Sequence, residues 1–253
     1  PREGGQGEPL FVITGWNGTF RENRDMLVVL SSNFDVYGIE LPGTGQSDAP
    51  PKHWSFHDFT PLIDAVFAYY QVEKGMVLGH SLGWVSALKL ARYFPQRVSH
   101  LIIANGPILF RIRFWGSDVI FSFGFLLFTV LIAWPCRLFS KVIPGSILRR
   151  LGGQYPYLTR SRGIMRKILR IIIDDDTIED ARNVKVPTLV IGSGKGGIFI
   201  PLRNSLDLHK AIPGSDLVVI PNAPHDFKGV WAQKFSEVVR DWIMSKKLQS
   251  SKN

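Results

Sequence analysis

Six short apolar runs recur along the chain, at residues 10–14, 35–40, 76–79, 101–104, 188–191 and 217–220. Each has the length of a strand buried on both faces. Helical patterns lie between them: Leu62, Ile63, Val66, Phe67 and Tyr70 recur at helical spacing, and so do Trp231, Phe235, Val238, Val239, Trp242 and Ile243. Strand and helix in alternation predict an α/β fold, a mostly parallel sheet with helices on both faces. At 253 residues the chain is long enough to bury such a core. There is no internal repeat and no low-complexity tract.

Residues 108–186 break that rhythm. They contain no convincing strand and read as helices interrupted at Pro135, Pro144-Gly145, Gly152-Gly153 and Pro156. The expected organisation is therefore a core of residues 1–107 and 187–253, with 108–186 inserted as a helical cap on the ligand-binding edge of the sheet.

Charge is concentrated in the same insertion. From residue 119 to 173 there is no Asp or Glu. Nine basic residues stand there: Arg137, Lys141, Arg149, Arg150, Arg160, Arg162, Arg166, Lys167 and Arg170. That segment carries the whole net charge of +9. A local positive field suits an anionic partner, whether a lipid surface, an acyl carrier or an anionic substrate; a solvated basic face accounts for it equally well. Nucleic acid is not expected, because the basic residues interleave with aliphatics and form no isolated stripe with stacking aromatics. The single cysteine, Cys136, excludes an intrachain disulfide framework and any multi-cysteine metal site, and leans toward the cytosol. The polar opening Pro1-Arg2-Glu3-Gly4-Gly5 reads as a cut end and not as a signal peptide.

The chemistry is expected where the third run ends. Gly79-His80-Ser81-Leu82-Gly83 follows that strand and precedes a helix over 84–92. A sharp strand-to-helix turn lifts the serine hydroxyl out at the C-terminal edge of the sheet, and the flanking glycines avoid collisions with neighbouring elements. The helix start then aims its dipole and free N–H groups at charge forming beside Ser81. A plain turn is the bland alternative. A serine nucleophile needs a base, and His225, in Pro221-Asn222-Ala223-Pro224-His225-Asp226-Phe227, lies between the last strand and the last helix. His53, His57, His100 and His209 read as loop or surface residues, and His80 as a packing residue facing away from Ser81. Two N–H groups would serve an oxyanion: Leu82, after the nucleophile, and Trp16, in Thr14-Gly15-Trp16-Asn17-Gly18.

The Gly-Trp loop, the stretch Leu41-Pro42-Gly43-Thr44-Gly45-Gln46-Ser47-Asp48, the GHSLG turn and the late histidine together resemble the α/β-hydrolase superfamily. The lid-bearing branch is the nearest in pattern, over residues 3–106 and 187–243. The resemblance implies a Ser–His–acid triad, no cofactor and no metal. A serine at position 81 implies the esterase, thioesterase, lipase or C–C hydrolase side of that branch. Three positions depart from the pattern. Thr14-Gly15 stands where the family has His-Gly. Two further strands usually precede the position of Arg2, and without them the edge beside 10–14 is expected to be bare. Counted back from Pro201, Gly197 takes the place of the acid.

Four residues are candidates for that third partner. Asn105 takes the other position at which some members of the family place the acid; an amide can orient an imidazole but cannot stabilise imidazolium by charge. The Asp-to-Asn change in a serine protease costs about four orders of magnitude. Asp174, Asp175 and Asp176 could reach in from the cap, or be a solvated helix end. Asp226 adjoins His225 and is expected to point elsewhere.

The run 119–134, VIFSFGFLLFTVLIAW, is apolar nearly all round. As a helix it would measure roughly 24 Å, short of the ~30 Å of a bilayer core. A single crossing there would also separate Ser81 from His225. It could line an acyl pocket, pack as core or lie in a membrane interface. The expectation is a serine hydrolase for an ester or thioester with an apolar acyl part, cytoplasmic or peripheral at an anionic membrane surface. The alternative is an α/β-hydrolase-like protein of little or no activity that binds an apolar ligand, a membrane or a partner.

Overall fold

The computed structural model describes residues 2–15, 19–51, 53–106, 177–196 and 200–251. Outside them lie Trp16, Gly197, Asp174 to Asp176, Cys136, the apolar run 119–134 and the nine basic residues, so expectations on these positions are not carried into the fold. Seven strands among the described residues form one sheet: β1 (Arg2–Gly4), β2 (Pro9–Ile13), β3 (Asp35–Ile39), β4 (Gly75–His80), β5 (Val98–Ala104), β6 (Thr188–Lys195) and β7 (Asp216–Pro224). Their order across the sheet is β1-β3-β2-β4-β5-β6-β7, with β1 antiparallel to β3 and every other pair parallel. The helices are α1 (Arg24–Ser31), α2 (Phe56–Tyr69), α3 (Gly83–Tyr93), α4 (Thr177–Arg182), α5 (Leu202–Ala211) and α6 (Val230–Ser250).

The central strands are uniformly apolar because both of their faces are covered. Leu10, Val12, Met76, Leu78, Ile102, Ala104, Leu189 and Ile191 point one way, into a cluster with Met26, Leu27 and Leu30 of α1 and Phe235, Val239 and Ile243 of α6. The intervening residues point the other way, where Phe11 stacks on Phe67 of α2 and Gly79 meets Trp84 and Ala87 of α3. α2 begins at a capping box in which Ser55 and Asp58 satisfy each other's backbone N–H groups. α4 lies within the 108–186 span and packs on α3 through a buried ion pair, Lys89 Nζ to Asp180 Oδ2 at 2.5 Å, with Tyr93 donating to Asp180 Oδ1.

Three features differ from the sequence reading. The short strand β1 escapes a periodicity search, yet it covers β3. The strand over residues 10–14 is not an edge either, since β3 lies between it and β1. Finally, β6 and β7 run past their apolar cores. Residues 192–195, beyond the apolar run that ends at 191, continue the ladder until Lys195 pairs with Pro224. Backbone hydrogen bonding to a neighbouring strand needs no apolar side chain, so hydropathy stops short of the true strand end.

The chain passes from β2 outward to β3 and returns to place β4 on the other side of β2. In open α/β sheets a ligand crevice lies outside the carboxyl ends of the strands, at such a switch point. The ends of β2 and β4 carry Gly15 and Ser81.

Candidate active site

Ser81 occupies the turn between β4 and α3 with φ +51°, a left-handed backbone conformation that a non-glycine residue rarely holds. The surroundings impose it. Ser81 N–H donates to the Ala104 carbonyl of β5 at 2.9 Å, and the Ser81 carbonyl accepts from Trp84 N–H at 3.2 Å. A Cβ on Gly79 would sit 2.5 Å from Trp84 Cα, and one on Gly83 would sit 2.2 Å from the Ile13 carbonyl oxygen. Both glycines are thus required by close backbone approach, as the motif predicts. Strain of this kind, over-determined by its neighbours, is characteristic of functional sites.

Leu82 is the N-cap residue of α3. Its N–H belongs to the helix start, where donors have no acceptor within the helix. On the other side, a Cβ on Gly15 would lie 2.5 Å from Ser81 Cβ and 3.0 Å from Ser81 Oγ, so the backbone after β2 abuts the serine. Trp16, the next residue, lies outside the described residues.

His225 follows directly on β7. Its Nε2 lies 3.1 Å from Ser81 Oγ, across 144 residues of sequence. Its Nδ1 is buried and has no hydrogen-bond partner among the described residues. Burial, then the neighbouring His80, push the imidazole down to about 4, against the opposing pull of Asp226. Asp226 Oδ1 is 3.9 Å from Nε2, on the serine side of the ring, and its side chain is largely exposed. It therefore offers nothing to Nδ1.

Asn105, at the end of β5, is buried and also left-handed, with φ +51°. Its amide makes no hydrogen bond to the imidazole, the contact expected of a third partner; it bonds the main chain of His225 and Ser193 instead. Its Nδ2 donates to the main-chain oxygen of His225 at 2.8 Å and to Ser193 Oγ at 2.8 Å, while its Oδ1 accepts from Ser193 N–H at 2.9 Å. The extension of β6 accounts for this: it brings Ser193 against the amide and joins the strand to the segment that carries His225.

Two further residues were not assigned a part by the sequence. His80 is buried, stacks on His225 with centroids 5.1 Å apart, and places Nε2 3.1 Å from the His225 main-chain oxygen. Burial lowers its pKa. Glu40, which ends the second apolar run, accepts from Phe20 N–H and Gln46 N–H, both at 2.8 Å, and so ties the loop after β3 to the segment before α1. A charged residue closing an apolar strand was the available signal. One nitrogen each from His80 and His225 and an oxygen of Asp226 lie within 4.8 Å of one another, but His80 already has the His225 carbonyl as partner.

The model of the family described as alpha/beta hydrolase fold matches residues 8–123. The putative carbamate hydrolase RutD of Cronobacter turicensis is 25% identical over 220 residues, covering 83% of this chain and 81% of its own. The pimeloyl-[acyl-carrier protein] methyl ester esterase of Edwardsiella ictaluri is 33% identical over 120 residues, 45% of this chain and 44% of its own. The solved enol-lactonase of Burkholderia xenovorans superposes with a TM-score of 0.71 at 18% identity, over 96% of this chain and 95% of its own. With a sheet of the same kind and a strand–Gly-x-Ser-x-Gly–helix turn at its centre, the chain is an α/β-hydrolase-fold protein.

Proposed function

We propose that this protein is a serine hydrolase that cleaves an ester or thioester with an apolar acyl part. The observation that carries the reading is the 3.1 Å approach of His225 Nε2 to Ser81 Oγ, with the serine held at φ +51° on the end of β4. Ser81 Oγ attacks the acyl carbon while its proton passes to Nε2. The proton then goes to the departing alcohol or thiol, which leaves an acyl-serine. Water, deprotonated through the same nitrogen, releases the acid. The N–H of Leu82 and that of Trp16 take the developing oxyanion.

The relatives named an esterase, a putative carbamate hydrolase and an enol-lactonase support acyl transfer to water as the reaction class. The apolar run 119–134 supports an apolar acyl part, and the nine basic residues of 119–173 support an anionic lipid surface as the place where such a substrate is met. No helix among the described residues is long and apolar enough to cross a membrane. A second reading, binding of an apolar ligand with little turnover, is favoured by the Nδ1 of His225, which has no hydrogen-bond partner among the described residues.

A fluorophosphonate that reacts with activated serines separates the two. Labelling of the wild type and not of Ser81→Ala supports the hydrolase. Equal labelling of both, or of neither, leaves the binding protein.

A further inference from the structure

Two donors converge on one main-chain oxygen. Asn105 Nδ2 and His80 Nε2 lie 2.8 and 3.1 Å from the carbonyl oxygen of His225. A carbonyl only accepts, so His80 must carry its proton on Nε2. The orientation of the Asn105 amide is equally determined, since Ser193 N–H can only donate to Oδ1. The two donors come from the ends of adjacent parallel strands, where His80 of β4 pairs with Ala104 of β5, the residue before Asn105. They are held by the most buried part of the sheet, and they grip the residue whose ring faces Ser81.

We infer that His80 and Asn105 are positioning residues that clamp the main-chain oxygen of His225 and thereby set its imidazole against Ser81. The inference rests on the reading of Ser81 as the nucleophile. In a full triad a carboxylate at Nδ1 holds the ring directly. Here Nδ1 meets no polar group among the described residues. Among the described residues, the ring is located by its own main chain, the stacked His80 ring and Ser81. The clamp also explains why position 105 is an amide. A carboxylate there would turn an anionic oxygen toward the His225 carbonyl at the point where Nδ2 now donates. Asn105 is therefore not a neutralised triad acid, and restoring a charge does harm.

The test uses p-nitrophenyl butyrate hydrolysis and the rate of fluorophosphonate labelling, with Tm measured for every variant. His80→Met keeps bulk and loses the donor; His80→Gln keeps a donor near the position of Nε2. His80→Met should lower kcat by about 10- to 100-fold, with KM changed by less than about twofold. His80→Gln should recover most of that loss. Asn105→Asp should lower kcat as well. A His80→Met enzyme with wild-type kcat, a loss that His80→Gln does not recover, or a gain in Asn105→Asp overturns the proposal. Should His80→Met fail to fold, the side-chain ¹⁵N shifts of His80 in the wild type decide: an Nε2–H tautomer supports the clamp and an Nδ1–H tautomer overturns it. A wild type that neither turns over the ester nor takes the label at Ser81 fails at the earlier step, the hydrolase reading itself.

Discussion

Ser81 and His225 meet at 3.1 Å but are held by opposite means. The serine sits in a turn fixed by contacts within one strand–turn–helix unit and by the backbones of β2 and β5 on either side, with glycines at 79 and 83 where any Cβ would collide. The histidine sits beyond the last strand, and residues far away in sequence hold it: His80, Asn105 and, through Asn105, Ser193. The first half is marked in its own few residues and closed by the two strands beside it. The second is assembled across the sheet and, among the described residues, lacks a partner at the ring nitrogen where a triad has one.

The widest separation between the halves is chemical. Ser81→Ala should remove phosphonate labelling altogether. His225→Ala should leave the serine in place and lower ester turnover by about 10²–10⁴-fold, the usual contribution of a general base. A smaller loss, measured as kcat/KM, would show that the weak base contributes little to the serine's reactivity.

Next in size is the rigidity of the serine half. In Gly83→Ala the new Cβ would meet the Ile13 carbonyl, which is strand backbone and cannot step aside. Overpacking of that kind costs about 1–3 kcal/mol, and thermal denaturation should register it as a drop of several degrees in Tm. An unchanged Tm would mean that the turn is softer than its contacts suggest.

The histidine half has its own signature in pH. A general base must be neutral, and burial puts His225 at about 4. The acid limb of kcat/KM should therefore fall near pH 4 and not near the ordinary histidine value of 6.5. Stability follows the same group. Between pH 6.5 and about 4 the unfolded chain binds the proton and the folded one does not, so stability present above 6.5 is lost as the pH falls through that window. Buried His80, also lowered, adds in the same direction. A kinetic limb near 6.5 would place a counter-charge beside the ring.

The smallest effect is expected at Ser193→Ala. The Ser193 N–H still holds Asn105 Oδ1, and only the acceptor for one Nδ2 hydrogen is lost. A cost of about 1 kcal/mol and a few-fold change in kcat are expected, read by urea denaturation and ester hydrolysis. A loss as large as that of His80→Met would shift the weight of the clamp onto the Ser193 hydroxyl.

The sequence by itself determined the parallel sheet and the strand–Ser81–helix turn. Each follows from information carried within a few residues: apolar runs of strand length, helical spacing, and glycine where backbones must touch. Only the tertiary structure decided what surrounds His225. The extension of β6 to Lys195 and of β7 to Pro224 depends on ladder hydrogen bonds that leave no trace in hydropathy. The turning of Asn105 toward a main-chain carbonyl instead of an imidazole depends on Ser193, 88 residues away. His80 read as packing because burial is all that its neighbours in sequence reveal. Its bond to His225 O spans 145 positions, a separation at which partners are chosen by strand order and register and not by local pattern.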